Sequence, residues 1–165
     1  MTFKIDDWVV HPRHGVGQID EIEDLEFDAR PAQSYYRISI ENGTMWVGVD
    51  DLSSGLRKVV AKDDLAACRE VLKGRPTELT MDHRQRQVEL NDRLRKSSFQ
   101  ARCELVRDLS ALSWKKPLNE ANAAVSRHAS QVLAQEWARA EGVSLRDATR
   151  EVDRLLKEGK SAYMR

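Results

Sequence analysis

The sequence predicts an α+β fold in which a small, strongly bent β-barrel precedes a compact bundle of about five helices. Up to residue 57, apolar side chains alternate with polar ones, as where Tyr36, Ile38 and Ile40 share one side of a strand. Beyond residue 57, apolar residues recur three or four positions apart, which is the helical period. The chain is therefore expected to form two domains, 1–57 and 58–165.

The β part is predicted from a turn and from its length. Asn42-Gly43 separates the apolar runs 34–40 and 44–49, which is typical of a hairpin whose two central residues have positive φ. The two runs are thus expected to pair antiparallel. About five short strands in under 60 residues are too few for a two-sheet sandwich, so the sequence favours a barrel.

The alternation of side chains predicts the orientation of Trp46 but not its role. On the second hairpin strand, Trp46 points to the opposite side from Met45 and Val47. It either packs under a loop or a neighbouring element, or it is an exposed aromatic anchor for a partner. An edge strand here could also be extended by a strand from a partner.

The helical part divides at capping residues and breakers. The predicted helices are 62–73, ended by Gly74; 80–96, with few apolar residues; a third, capped by Ser97 or Ser98; 118–140, ended by Gly142; and a fifth, opened by Ser144 with Asp147 and buried along Leu145, Ala148, Val152 and Leu155.

Charge is balanced overall but divided unequally along the chain. The 165 residues carry 27 Lys plus Arg and 27 Asp plus Glu, yet residues 1–60 have a net charge of −5 and residues 61–165 a net charge of +5. This division indicates two parts with different partners. Neither a membrane span nor a signal peptide is recognisable, so a cytoplasmic protein without membrane contact is expected.

No known catalytic motif is present, and the sequence predicts neither an enzyme nor a cofactor. It lacks a phosphate-binding glycine loop, a nucleophile elbow and a zinc-protease helix. His11 and His14 come nearest to a metal motif, but hydrogen bonding around the Gly15 turn explains them better. Cys68 and Cys103 are too far from a Cys-x-x-Cys spacing to predict a structural disulfide.

Basic residues accumulate in the second predicted helix. Ten Lys or Arg against six acidic residues lie between Arg75 and Lys116. Arg86 and Arg93 are two turns apart, and a helix so poor in apolar residues is expected to keep their face outside the bundle. Such a face is either solvated or binds phosphates; no aromatic residue is interleaved to stack on single-stranded bases.

The amino-terminal sequence resembles that of a known family. Residues 3–17, FKIDDWVVHPRHGVG, followed by a Tyr-rich strand and Gly55-Leu56-Arg57, resemble the first domain of the CarD/CdnL family of bacterial transcription regulators. The resemblance extends over essentially the whole chain. It implies a Tudor-like domain that binds the RNA polymerase β subunit, and a helical domain that contacts promoter DNA at the upstream edge of the transcription bubble.

The resemblance also implies site residues. In this family a tryptophan near the second helix wedges into the minor groove, and Met81 stands at that position here. Leu25 and the Met45-Trp46 pair occupy places where basic residues often stand. The polymerase-binding candidates are Arg37, Met45, Trp46 and Val47, and the DNA-binding candidates are Met81, Arg84, Arg86, Arg93 and Lys96.

Two functions therefore remain open on the sequence. The first is a monomeric regulator that binds polymerase and upstream promoter DNA and modulates the stability of the open complex, with no small-molecule substrate. The second is an interaction adaptor that docks on polymerase or another partner without acting on DNA.

Overall fold

A computed structural model describes residues 2–26, 31–96 and 98–164. The chain divides into two compact units, the β unit Met1–Val59 and the helical unit Val60–Arg165. The predicted α+β fold class is confirmed. Ser97, one of the two predicted caps of the third helix, lies outside the described residues.

The described residues of the β unit form an antiparallel sheet of five strands. They are β1 Trp8–His11, β2 Gly15–Leu25, β3 Gln33–Ile40, β4 Gly43–Gly48 and β5 Arg57–Lys58, in the order β4-β3-β2-β1-β5. Among the described residues the sheet remains open, unlike the predicted closed barrel, although a Tudor-like domain still fits it. Closure fails because β5 has only two residues, which pair with β1 and do not reach β4.

The β3–β4 hairpin is confirmed, but its turn is not the predicted mirror-image type. Ile40 pairs with Gly43, so the two turn residues are Glu41 and Asn42 rather than Asn42 and Gly43. Neither Glu41 nor Asn42 has positive φ, whereas Gly43 has a φ of 152°. Glycine is thus needed at the first position of β4, where other residues rarely adopt this conformation.

The core of the β unit lies on one side of the sheet. Tyr36 and Ile38 are fully buried as predicted, and Ile40 packs against them while partly exposed. The backbone N–H of Phe3 donates to the Tyr36 hydroxyl at 3.1 Å, and the two rings meet edge to face. The buried hydroxyl therefore has a partner, and the amino-terminal residues are held on the core.

The helical unit consists of five α-helices with polar N-caps. They are α1 Leu65–Lys73, α2 His83–Arg95, α3 Phe99–Leu112, α4 Glu120–Glu141 and α5 Leu145–Tyr163. Helices α2 and α4 begin later than predicted because Asp82 and Asn119 accept backbone N–H groups as caps. Ser98 and Ser144 cap α3 and α5 as expected.

A single apolar core holds the helical unit together. Leu65, Leu109, Leu133 and Trp137 are fully buried in it. Leu145 was expected in the buried stripe of α5, but it is exposed because it is the first residue after the Ser144 cap. Within the described residues, no helix is long and apolar enough to cross a membrane.

The helical unit begins before its first helix. The backbone N–H of Val60 donates to Oε2 of Glu136 on α4 at 2.9 Å, and Glu136 is completely buried. A buried carboxylate is costly unless hydrogen bonds compensate for the lost water. This contact therefore attaches the first residue of the unit to the middle of its core.

Candidate functional site

The outward side of the sheet carries a row of polar and aromatic side chains. Glu21 lies opposite Arg37 across the β2–β3 ladder, and Arg37 lies opposite Trp46 across the β3–β4 ladder. A bulge near Asp20 shifts the β2 register between Ile19 and Glu21, which places Glu21 in this row. We call Glu21, Glu23, Arg37 and Trp46 the Trp46 cluster.

Glu23 organises the Trp46 cluster. Its Oε1 accepts a hydrogen bond from Nη1 of Arg37 at 2.8 Å, and its Oε2 accepts one from the indole Nε1–H of Trp46 at 3.1 Å. Glu21 adds a second ion pair to Arg37 at 3.4 Å. Trp46 is nevertheless 46% exposed. The cluster thus orients an aromatic ring toward solvent without burying it.

The four predicted polymerase-binding residues lie on two different sides of the sheet. Arg37 and Trp46 meet on the outward side, whereas Val47 is buried in the core and Met45 packs against it. Strand β4 is an edge strand, so the backbone groups that it does not use for pairing with β3 form a free edge. Sequence reasoning misses Glu23, which the sequence shows only as part of an acidic run.

The His11 side chain stabilises the backbone of the turn between β1 and β2. Nδ1 of His11 accepts the backbone N–H groups of Arg13 at 3.1 Å and His14 at 3.3 Å. Burial, followed by the charges of His14 and Arg13, lowers the pKa of His11 below its usual 6.5, against an opposing effect of Asp51. A neutral His11 is therefore the form that the fold favours, in agreement with the structural role expected from the sequence.

We expect acid to weaken the β unit through His11. Protonation of Nδ1 removes an acceptor, and the lowered folded pKa means that this stabilisation is present above pH 6.5 and lost as pH falls through the folded pKa. Urea unfolding at about pH 7.5 and about pH 5 measures this loss. His11→Asn keeps an oxygen acceptor that does not titrate, so it should show a smaller loss; an equal loss in both proteins contradicts the prediction.

The cysteines are unsuited to nucleophilic chemistry. Cys68 and Cys103 are both buried. A hydrogen bond with Cys68, together with burial, raises the pKa of the Cys103 thiol well above its ordinary value. Because the thiolate is the reactive form, Cys103 stays protonated and inert near neutral pH.

Met81 and α2 form the candidate DNA-binding surface. Met81 is 78% exposed and immediately precedes Asp82, whose Oδ1 caps α2 by accepting the N–H of Gln85 at 2.9 Å. Arg84 and Lys96 are exposed. We call the shallow surface groove on this helix the α2 groove; its lining includes Arg84, Val88 and Lys96.

Val88 is an exposed apolar residue that sequence reasoning does not assign to the site. It is 61% exposed in the α2 groove, whereas Leu90 of the same helix is fully buried. The sequence signal for Val88 is its spacing, because it follows Arg84 by one helical turn and stands among polar residues. The α2 groove is therefore less polar than the sequence suggests.

The expectation that Arg86 and Arg93 lie on an outward face is wrong. Arg86 is only 6% exposed, and Nη2 of Arg93 forms an ion pair with Oδ2 of the buried Asp108 at 2.8 Å. A helix with few apolar residues can still bury one face when the stems of its arginines pack and a carboxylate from α3 neutralises the charge. Of the five predicted DNA contacts, Met81, Arg84 and Lys96 are exposed, Arg93 lines the α2 groove while paired with Asp108, and Arg86 is buried.

Comparisons with known proteins identify the family. The family model described as "CarD-like/TRCF RID domain" matches residues 3–60, and "CarD, C-terminal domain" matches residues 67–153. The chain is also 30% identical over 145 residues to "Putative transcription factor YdeB" of Bacillus subtilis (strain 168), covering 86% of this chain and 94% of that protein. The chain thus belongs to the CarD/CdnL family of transcription regulators.

Proposed function

We propose that this regulator binds the RNA polymerase β subunit through the β unit and contacts upstream promoter DNA through Met81 and the α2 groove, thereby modulating open-complex stability. The observation that carries the proposal is the exposure of Met81 beside Arg84. A large apolar side chain projecting into water next to a cation suits a minor-groove contact, in which an apolar wedge enters between base steps and a cation meets phosphate.

The Trp46 cluster supports the polymerase contact. Tryptophan is favoured at the centre of protein interfaces because its ring buries a large area while its N–H keeps a polar partner. Glu23 already provides that partner, so Trp46 could be covered without leaving an unpaired donor. The free edge of β4 offers additional backbone hydrogen bonds to a partner strand.

The charge distribution assigns different partners to the two units. The net charge of −5 on residues 1–60 disfavours DNA at the β unit, whereas residues 61–165 have a net charge of +5. Few exposed cations lie in the α2 groove, so its own affinity for DNA is expected to be low. Binding to polymerase then supplies the local concentration that this surface needs.

A protein of this kind acts by shifting an equilibrium. If its helical unit contacts melted promoter DNA better than closed duplex, bound protein favours the open complex by the ratio of the two affinities. Distortion of the upstream edge of the bubble provides this difference, because deformed steps accept a wedge at lower cost. No catalytic group is required.

The test is the lifetime of open complexes formed by polymerase in the presence of saturating protein. Met81→Ala should remove most of the lifetime that the protein adds. If partial burial of the Met81 side chain contributes about 1 kcal/mol, the open-complex lifetime should fall about fivefold. Leu52→Ala is the matched control, because Leu52 is also an exposed apolar residue but lies in the β unit. Met81→Ala should leave capture of polymerase unchanged.

Binding to the isolated β subunit tests the polymerase contact. Trp46→Ala should reduce binding to the β subunit while the thermal melt stays nearly constant, because the ring is already half exposed. Trp46→Phe retains aromatic area and should bind more tightly than Trp46→Ala. Unchanged binding with both variants excludes the Trp46 cluster as the contact.

A second candidate function is the adaptor that binds polymerase without acting on DNA. The burial of Arg86 and the pairing of Arg93 with Asp108 favour it, because both remove cations from the predicted DNA surface. Equal open-complex lifetimes with and without saturating protein, together with retained polymerase binding, would establish the adaptor instead.

A further inference from the structure

The segment that carries Met81 is attached to the helical unit at both of its ends. At its start, the backbone N–H of Thr77 donates to Oδ1 of Asp108 at 2.8 Å. At its end, Nε of Arg86 donates to the Thr80 carbonyl at 2.9 Å and Nη2 donates to the Met81 carbonyl at 3.4 Å. Leu79, between them, is buried in the core. The backbone of residues 77–81 therefore has three anchors.

The two charged anchors are themselves buried. Asp108 lies between the guanidinium groups of Arg93 and Arg107, at 2.8 Å and 2.9 Å. Arg86 has a different arrangement, because within the described part of the chain it forms no ion pair and its donors go to backbone carbonyls. Burying a guanidinium is costly without hydrogen bonds, and here the bond to the Thr80 carbonyl at 2.9 Å is the stronger one and the bond to the Met81 carbonyl at 3.4 Å the weaker.

The Met81 side chain and the backbone that carries it lie in different environments. The backbone at Thr80 and Met81 is held by a buried cation, yet the Met81 side chain is exposed. Methionine has three rotatable bonds and positions itself poorly. A fixed backbone limits where its thioether can reach, and it reduces the conformational entropy that is lost when a partner covers the side chain.

We infer that Arg86 is a positioning residue, which holds the Thr80 and Met81 carbonyls so that Met81 projects from a preorganised segment, and that its guanidinium does not contact phosphate. This inference rests on the proposed function of Met81 and deepens it. Arg84, two residues earlier and exposed, is the cation that is free to meet DNA.

A charge-conserving substitution separates positioning from phosphate binding. Lysine keeps the positive charge, but a single ammonium cannot reproduce the planar fork that reaches two carbonyls. Arg86→Lys should therefore reduce the added open-complex lifetime about two- to fivefold, which is at most the loss expected for Met81→Ala. The matched control Arg95→Lys should stay within about twofold, because Arg95 is an exposed cation of the same helix that lies outside the proposed contact and pairs with Asp92 at 3.6 Å. Equal small effects of both variants would overturn the inference.

A double-mutant cycle tests whether Arg86 acts through Met81. In a Met81→Ala background, Arg86→Lys should cause no further loss of lifetime, because the side chain that it positions is already missing. Two effects that multiply independently would instead assign Arg86 its own contact with DNA, and the inference would be wrong.

The positioning itself has a readout that needs no DNA. In the full-length protein, backbone ¹⁵N order parameters at Leu79, Thr80 and Met81 should be near 0.85, and Arg86→Lys should lower them; wild-type values below about 0.6 overturn the inference. Arg86→Gln, with one amide donor, replaces the lysine variant if that variant does not fold. If Met81→Ala leaves lifetimes unchanged, the proposed function fails, but these order parameters still decide whether Arg86 holds the segment.

Discussion

Asp108→Ala should destabilise the helical unit more than any surface substitution does. The expected loss in the free energy of unfolding is about 3–5 kcal/mol. The Asp108 side chain is almost completely buried and pairs with Arg93 and Arg107 while it accepts the Thr77 N–H. Its removal leaves two largely buried guanidinium groups without their carboxylate. Urea unfolding followed by helical circular dichroism measures this loss, because all five α-helices lie in this unit.

Two further variants serve as comparisons for Asp108→Ala. Asp92→Ala removes an exposed carboxylate that lies 3.6 Å from Arg95, and it should cost less than about 1 kcal/mol. Asp108→Asn keeps an oxygen for the Thr77 N–H but loses the charge, so an intermediate loss is expected. If Asp108→Ala and Asp92→Ala have the same urea midpoint, the buried pairs do not hold the helical unit together.

Gly17→Ala should destabilise the β unit by about 1–3 kcal/mol, because a methyl group at this position has no room. A Cβ on Gly17 would lie 2.6 Å from Cγ2 of Ile38 and 2.8 Å from the carbonyl oxygen of Ser39. Ile38 is fully buried, and the Ser39 carbonyl belongs to β3, so neither can move without disturbing the ladder. A unit of this size has little stability to lose.

Gly48→Ala is the matched control for Gly17→Ala. A Cβ on Gly48 of β4 would meet Asp51 at 3.5 Å, an ordinary contact distance, so little change is expected. A urea titration followed by NMR amide signals of β2 and β3 reports on the β unit alone. Equal midpoints for the two glycine variants would show that the sheet accommodates the extra methyl group at Gly17.

Local patterns were sufficient to predict most of the fold. Alternation in β3 and β4 placed Tyr36 and Ile38 in the core and Trp46 outside it, because the two-residue period of a strand determines sides directly. Helix ends were less accurate, since Asp82 and Asn119 cap later than the helical period suggests. Barrel closure failed because it depends on a pairing between distant strands, which no local pattern encodes.

The candidate site was predicted less well, for a physical reason. Whether an arginine faces water depends on what the neighbouring helix presents, and Asp108 comes from α3. Nothing in the α2 sequence alone reveals that Arg93 has this partner or that Arg86 turns back to carbonyls before the helix. Met81 and Arg84, which the family resemblance implies as DNA contacts, are exposed at the start of α2.

The hydrogen bond between Val60 and Glu136 bears on how these two units could be exchanged between relatives. Val60 lies within the part that matches the first domain of the family, yet its N–H serves a buried carboxylate of α4. A chimera that joins a foreign first domain at the start of α1 keeps this contact only if the foreign chain places a non-proline backbone N–H at the position of Val60. A junction between residues 59 and 60 keeps this contact intact. The helical unit that can be transferred between relatives therefore begins at Val60, before its first helix.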